Sequence, residues 1–179
     1  MSVPPLVVAA RSVADAQGFD GSCSDEVGAL LHVLAGRRGV LRVAEIGSGA
    51  GVGTAWLASA LPPGVPLVTV ELDPARAAAV GALFAEDPDV TVLTGSWEAA
   101  LAPYAPFDLV FVDAADAKDA VDRVLGLVLP GATLVLDDLS SDWEGPDARR
   151  AQWVEHPRLT SVVLGTGGTA QVLVALVSR

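Results

Sequence analysis

The chain is poor in several residue types, and each shortage excludes something. It has one cysteine, Cys23, so no internal disulfide can form and a structural zinc site built on cysteines is excluded. It has one lysine, Lys118, and 11 basic against 22 acidic residues, for a net charge of −11. A polyanion is repelled by such a surface, so nucleic acid is not an expected partner and a highly phosphorylated substrate is disfavoured. No apolar run approaches the roughly 18–20 residues of a membrane span. Charged residues make up only 18% of the 179, against 51% hydrophobic with a mean hydropathy of +0.48, which excludes a disordered chain. The start, MSVPPLVVAARSVADA, has no basic region and no small-residue cleavage site. It reads as mature sequence, with a reducing cytoplasm as the expected setting. The length is that of one domain, spanning 1–179.

What is present is regular alternation. Helical spacing marks 4–17 and, after the turn FDGSCS, a helix over 25–36 capped by Ser24 with Asp25 and Glu26 in its first turn. Apolar, β-branched runs of strand length then follow at 41–46, 66–71, 90–94, 107–113 and 132–137. Helical stretches separate them at 52–61, 74–86, 97–102 and 116–128. Strands apolar on both faces and separated by helices predict a parallel sheet covered on both sides. Right-handed crossovers make it doubly wound. A helix near 146–155 leads to runs at 160–165 and 169–177, close enough to form an antiparallel hairpin. The expectation is an α/β fold with a seven-stranded, mostly parallel sheet ending in that hairpin. Residues 1–23 form a helix and turn available as a substrate cap or a dimer contact, which leaves a homodimer open.

The first strand ends in Glu45-Ile46-Gly47-Ser48-Gly49-Ala50-Gly51-Val52-Gly53, with a helix next. Glycines there allow positive φ and let a ligand approach the backbone. In open α/β sheets the ligand crevice lies beyond the carboxyl ends of the strands. Glu71 ends the second strand, where a carboxylate can accept both hydroxyls of a ribose, so a nucleoside-bearing cofactor is implied. A dinucleotide fingerprint would need glycine where Val52 stands. Glu45 would also repel a pyrophosphate. An acid there suits S-adenosylmethionine, which carries an ammonium and a sulfonium and no phosphate.

EIGSGAGVGTAWLA, VELD after the second strand, TGSW after the third and FDLVFVDA at the fourth together resemble the class I S-adenosylmethionine-dependent methyltransferases, nearest to the catechol and caffeoyl-CoA type O-methyltransferases. The resemblance spans roughly 22–177 and includes the terminal hairpin. It implies a Rossmann-like fold, with Glu45, Gly47, Ser48, Gly49 and Gly51 around the methionine and ribose of the cofactor and Glu71 on the ribose hydroxyls. Leu72, Ser96 and Trp97 would border the adenine, and Asp113 would also touch the cofactor.

Asp113 ends the fourth strand and Asp137-Asp138 the fifth, so neighbouring parallel strands bring three carboxylates to the crevice. Unpaired, they would have raised pKa values; a hard, oxygen-ligated cation such as Mg²⁺ suits them. The metal-dependent enzymes of the resembled type place an Asp-Asn pair where this chain has Asp137-Asp138. They also carry a lysine three positions after the strand-four aspartate, where this chain has Asp116; Lys118, two further on, reads as a surface residue unless a shift brings it in. The candidate catalytic residues are therefore Asp113, Asp116 and Lys118, with Asp113, Asp137 and Asp138 for a metal.

The remaining candidates read as structural. Cys23 lacks a nearby histidine in sequence, His32 is a helix packing residue, and His156 stands at a helix end. Tyr104 falls in a surface loop; Trp143 and Trp153 flank a polar stretch and suit either a substrate pocket or the core. The implied activity is methyl transfer to oxygen of a small hydroxylated molecule, phenolic or catechol-like, with Mg²⁺ or another divalent cation assisting. A metal-independent N- or O-methyltransferase, an NAD-linked oxidoreductase and a non-catalytic cofactor-binding scaffold remain as alternatives.

Overall fold

A computed structural model describes residues 2–140, 147–167 and 170–178. Two helices come first, α1 (Pro5–Gln17) and α2 (Asp25–Ala35), and the Ser24 hydroxyl accepts the Val27 N–H at 3.3 Å to cap the second. Then strands and helices alternate: β1 (Val43–Ile46), α3 (Val52–Ala58), β2 (Leu67–Glu71), α4 (Pro74–Leu83), β3 (Val90–Thr94), α5 (Trp97–Leu101) and β4 (Phe107–Val112). Short helices α6 (Ala115–Lys118) and α7 (Val121–Leu125) precede β5 (Val128–Ser140). The chain closes with α8 (Ala148–Val154), β6 (Leu159–Gly167) and β7 (Ala170–Val177).

The seven strands form one sheet in the order β3-β2-β1-β4-β5-β7-β6. Pairs among the first five are parallel, while β7 runs antiparallel to both β5 and β6, the expected terminal hairpin. Among the described residues no helix is long and apolar enough to cross a membrane.

Each face of the sheet carries its own apolar core, which is why its strands lack polar alternation. On one face Val7, Val27, Leu31, Trp56 and Val80 bring α1 to α4 against Val43, Leu67 and Leu109. On the other, Trp97, Leu101, Val124 and Trp153 bring α5, α7 and α8 against Ile46, Val110 and Leu134. Helix α2 reaches α3 by an unusually close approach: a Cβ on Gly28 would lie 2.0 Å from the Trp56 indole nitrogen.

Two elements depart from the sequence reading. A continuous helix over 116–128 is replaced by α6 and α7, because Ala120 (φ −132°, ψ 48°) lies outside the helical region. Asp119 there turns out to Arg149, in a two-point ion pair at 2.7 and 2.8 Å, while Lys118 beside it turns inward. Strand β5 also outruns the expected 132–137. Its start pairs Val128 with Phe107, and its end crosses a bulge, one extra residue between Leu136 and Leu139 opposite β7. The bulge contains Asp137 and Asp138, the latter at φ 57°, an excursion an aspartate tolerates better than most residues.

Candidate active site

The carboxyl ends of β1, β2 and β4 open into a cavity of about 350 Å³, at the point where the chain winds outward from β1 in both directions. Its floor is the turn after β1. Gly47 adopts φ 94°, and a Cβ there would meet the Asp113–Ala114 backbone at 3.2 Å. Gly49, at φ 52°, packs under the Phe19 ring, which a Cβ would approach to 2.7 Å. Both positions therefore exclude side chains on conformational and steric grounds. Gly51, at φ 88°, is the N-cap of α3.

Glu71 closes one side. Its carboxylate accepts the Gly49 N–H at 2.9 Å, the Asp73 N–H at 2.9 Å and the Arg76 guanidinium at 3.0 Å. Arg76 in turn stacks over Phe19, 5.4 Å from the ring centroid. Leu72, Ser96 and Trp97 line the same end; Leu72 and Ser96 are exposed and Trp97 is buried. The Trp97 indole donates to Asp116 Oδ2 at 3.1 Å, so Asp116 holds an aromatic wall of the cavity.

Glu45 lies deeper, only 1% exposed, on the face toward α3. Thr69 Oγ1 donates to it at 2.6 Å and Thr54 Oγ1 donates to the same oxygen. Burial nevertheless dominates and pushes its carboxyl up to about 7. Asp113 follows the same logic, raised by burial to about 7 against the pull of Lys118. Cavity walls this rich in carboxylates suit a ligand carrying positive charge. The Ser48 hydroxyl, buried in the wall, has no hydrogen-bond partner among the described residues, and the same holds for Ser22. Polar atoms so placed fit a ligand that supplies the missing partners.

The metal set predicted from sequence does not assemble. Asp137 accepts the Asp138 N–H at 2.8 Å, while Lys118 donates to Asp113 Oδ1 and to Asp138 Oδ2, each at 3.1 Å. Among the described residues no group of three acids, histidines or cysteines is placed to hold an ion. Asp113, Asp137 and Asp138 as arranged do not fit a divalent cation; a lysine supplies the positive charge instead. This also corrects the reading of Lys118 as a surface residue: it is 3% exposed, because the break after α6 lets its side chain run inward.

Other side chains settle into structural places. The Trp153 indole is fully buried and donates to the Lys118 carbonyl at 2.7 Å, so it belongs to the core; Trp143 lies outside the described residues. His32 packs edge-on to Trp56, and His156 sits 3.2 Å from Asp122. Cys23 does line the cavity, but burial, then Asp113, Asp137 and Glu45, push its thiol well above the ordinary value, so it stays protonated.

Phe19, Ser22 and Arg76 were not singled out in the sequence as site residues. The turn FDGSCS offered a signal, an aromatic beside small polar residues just before a helix. Nothing local ties Phe19 to Gly49, thirty positions later.

Comparison with known proteins agrees with this geometry. The model of a methyltransferase domain family matches residues 44–139. The catechol O-methyltransferase of Mycobacterium tuberculosis is 33% identical over 92% of this chain and 83% of its own. The O-methyltransferase TomG of Streptomyces achromogenes, solved with S-adenosylmethionine, superposes with a TM-score of 0.83 at 29% identity, covering 99% of this chain and 92% of that one. An O-methyltransferase from Bacillus cereus, solved with S-adenosylhomocysteine, shares the fold at 23% identity, with a TM-score of 0.84 over 99% of this chain and 93% of that one. With the glycine turn, the two strand-end glutamates and the acid-walled cavity in place, this chain belongs to the methyltransferase domain family and is an S-adenosylmethionine-dependent methyltransferase.

Proposed function

We propose that the chain methylates an oxygen of a small hydroxylated molecule, phenolic or catechol-like. The observation that carries this reading is the cavity itself, lined by Glu45, Glu71 and Asp113 and by a Ser48 hydroxyl that has no partner among the described residues. The names of the M. tuberculosis and S. achromogenes relatives support oxygen as the acceptor atom.

When bound, the donor supplies an electron-poor methyl on a sulfonium, whose sulfur keeps the bonding pair as the acceptor oxygen forms its new bond to carbon. The chain's own part is alignment and proton handling, which dominate such a displacement. Glu71, with one donor on Oε2, has acceptor capacity left for ribose hydroxyls. Trp97, Leu72 and Ser96 would border the donor's adenine. Gly47, Ser48, Gly49 and Gly51 would lie against the methionine and ribose. Glu45 and Asp113 set a negative field for the cationic centres. Asp113, held near 7 and lining the cavity, takes the acceptor's hydroxyl proton.

Calorimetric titration with S-adenosylhomocysteine, with NAD as control, tests the cofactor half. Product analysis over a panel of phenols and catechols tests the acceptor half. Micromolar binding of the former alone, with methylated oxygen in the product, is expected. Preference for NAD, or methylation at nitrogen only, overturns the reading.

A further inference from the structure

Lys118 is the one buried cation among the described residues, and its place is specific. Its Nζ spans Asp113 at the end of β4 and Asp138 in the bulge of β5, at 3.1 Å from each. We propose that Lys118 is the built-in cation of this site, standing between Asp113 and Asp138 where a divalent ion would otherwise stand, so that methyl transfer in this chain runs without one.

Three features carry this. First, the distances are those of an ammonium. Mg²⁺ would need the two carboxylates drawn in to about 2.0–2.1 Å from a common centre, in a near-octahedral shell. Second, the lysine is anchored. Its carbonyl accepts the Trp153 indole at 2.7 Å and the Gln152 amide at 2.9 Å, so the backbone that delivers Nζ is tied to α8. Third, Lys118 and Asp113 form a pair shielded from water, so an ion displacing the ammonium would strip a buried charge of its partner; Asp138, at 76% exposure, is the open arm of the bridge.

Lys118 is not among the residues lining the cavity, whereas Asp113 is. It therefore acts through Asp113, as a positioning residue. One chemical consequence follows. A divalent ion can grip two neighbouring oxygens of one acceptor; an ammonium set behind Asp113 cannot. The acceptor is then held through a single hydroxyl, and a vicinal pair is not required.

The proposal rests on the proposed oxygen methylation only for its turnover arm, so the deciding measurement is made on the protein alone. Mn²⁺ is titrated into the full chain, its Lys118→Ala variant and its Lys118→Arg variant, and free Mn²⁺ is followed by electron paramagnetic resonance. The expected result is an unchanged free-ion signal with the parent chain and with Lys118→Arg up to millimolar Mn²⁺. Lys118→Ala, with its carboxylates released, should remove most of the signal. S-adenosylhomocysteine binding by each variant checks that it is folded. If Lys118→Ala does not fold, the parent and Lys118→Arg arms decide. Micromolar Mn²⁺ binding by the parent chain, or turnover abolished by chelator and restored by Mg²⁺, overturns the proposal. A failure to methylate any phenol would count against the proposed function and leave the Mn²⁺ result standing.

Discussion

The indole nitrogen of Trp153 donates to the backbone carbonyl of Lys118 at 2.7 Å, joining α8 to the break between α6 and α7. The contact is fully buried, and the same carbonyl also accepts from Gln152. Trp153→Phe leaves the carbonyl one donor and a space beside the smaller ring, so it should cost about 1 kcal/mol for the hydrogen bond plus a cavity contribution, in a urea unfolding curve at unchanged slope. Adding Gln152→Ala leaves the carbonyl without either side-chain donor. The double variant should lose more than the sum of the singles. Strict additivity would mean that the carbonyl finds another partner.

That same contact marks where sequence reading ran out. The glycine turn and Glu71 were legible because positive φ restricts which residues can stand there, and the strand ends fix which acids face the crevice. Lys118 was not. Read as one helix over 116–128, it falls two positions beyond the place where a lysine was expected, and nothing local reveals the break at Ala120. The break depends on Asp119 turning to Arg149 and on the Lys118 carbonyl turning to Trp153, partners about thirty residues away. The pairing of these acids with a lysine was hidden for a related reason. Three strand-end aspartates could be counted in the sequence, but the cation that pairs with two of them arrives from a different element.

Asp116 accepts the Trp97 indole at 3.1 Å, a contact that gives it a supporting place in the cavity wall. Asp116→Asn keeps a carbonyl oxygen for the indole, so turnover should stay within a few-fold of the parent chain. Asp116→Ala should weaken S-adenosylhomocysteine binding several-fold. A general base would instead show a loss of about 10²–10⁴ in turnover for both variants. The two outcomes are separated by steady-state kinetics on the pair.

Glu45 makes stability depend on pH in a direction opposite to that of a salt-bridged acid. Burial raises its folded value from 4.5 to about 7, so between those limits the folded chain binds more protons than the unfolded chain. Stability therefore falls as pH rises from 4.5 to about 7 and levels off above, by up to about 3 kcal/mol from this residue. Asp113 is raised to a similar value and adds to the slope in the same sense. Glu45→Gln retains an acceptor for Thr54 and Thr69 and removes the titration. Urea midpoints across this range should then fall less steeply than in the parent chain, with the Asp113 share remaining. An unchanged slope would place the pH dependence elsewhere.

Gly28 is set by packing rather than by backbone conformation. It lies inside α2, where alanine would ordinarily be the better helix former, yet its missing Cβ is what admits the Trp56 indole. Trp56 is 2% exposed, and its nitrogen has no hydrogen-bond partner among the described residues, so the ring cannot shift without leaving a buried core position. Gly28→Ala gains about 1 kcal/mol of helix propensity. It also places a methyl 2.0 Å from the indole nitrogen, a clash that must be relieved by moving α2 off α3. Overpacking of this kind costs about 1–3 kcal/mol, so the net effect should be destabilising. Trp56→Phe alone should also destabilise, by emptying part of the core. In the double variant the smaller ring makes room for the methyl, and the combined loss should be less than the sum. Thermal unfolding of the two single variants and the double variant measures that difference directly. A gain in stability from Gly28→Ala alone would show that α2 and α3 approach less closely than the structure places them.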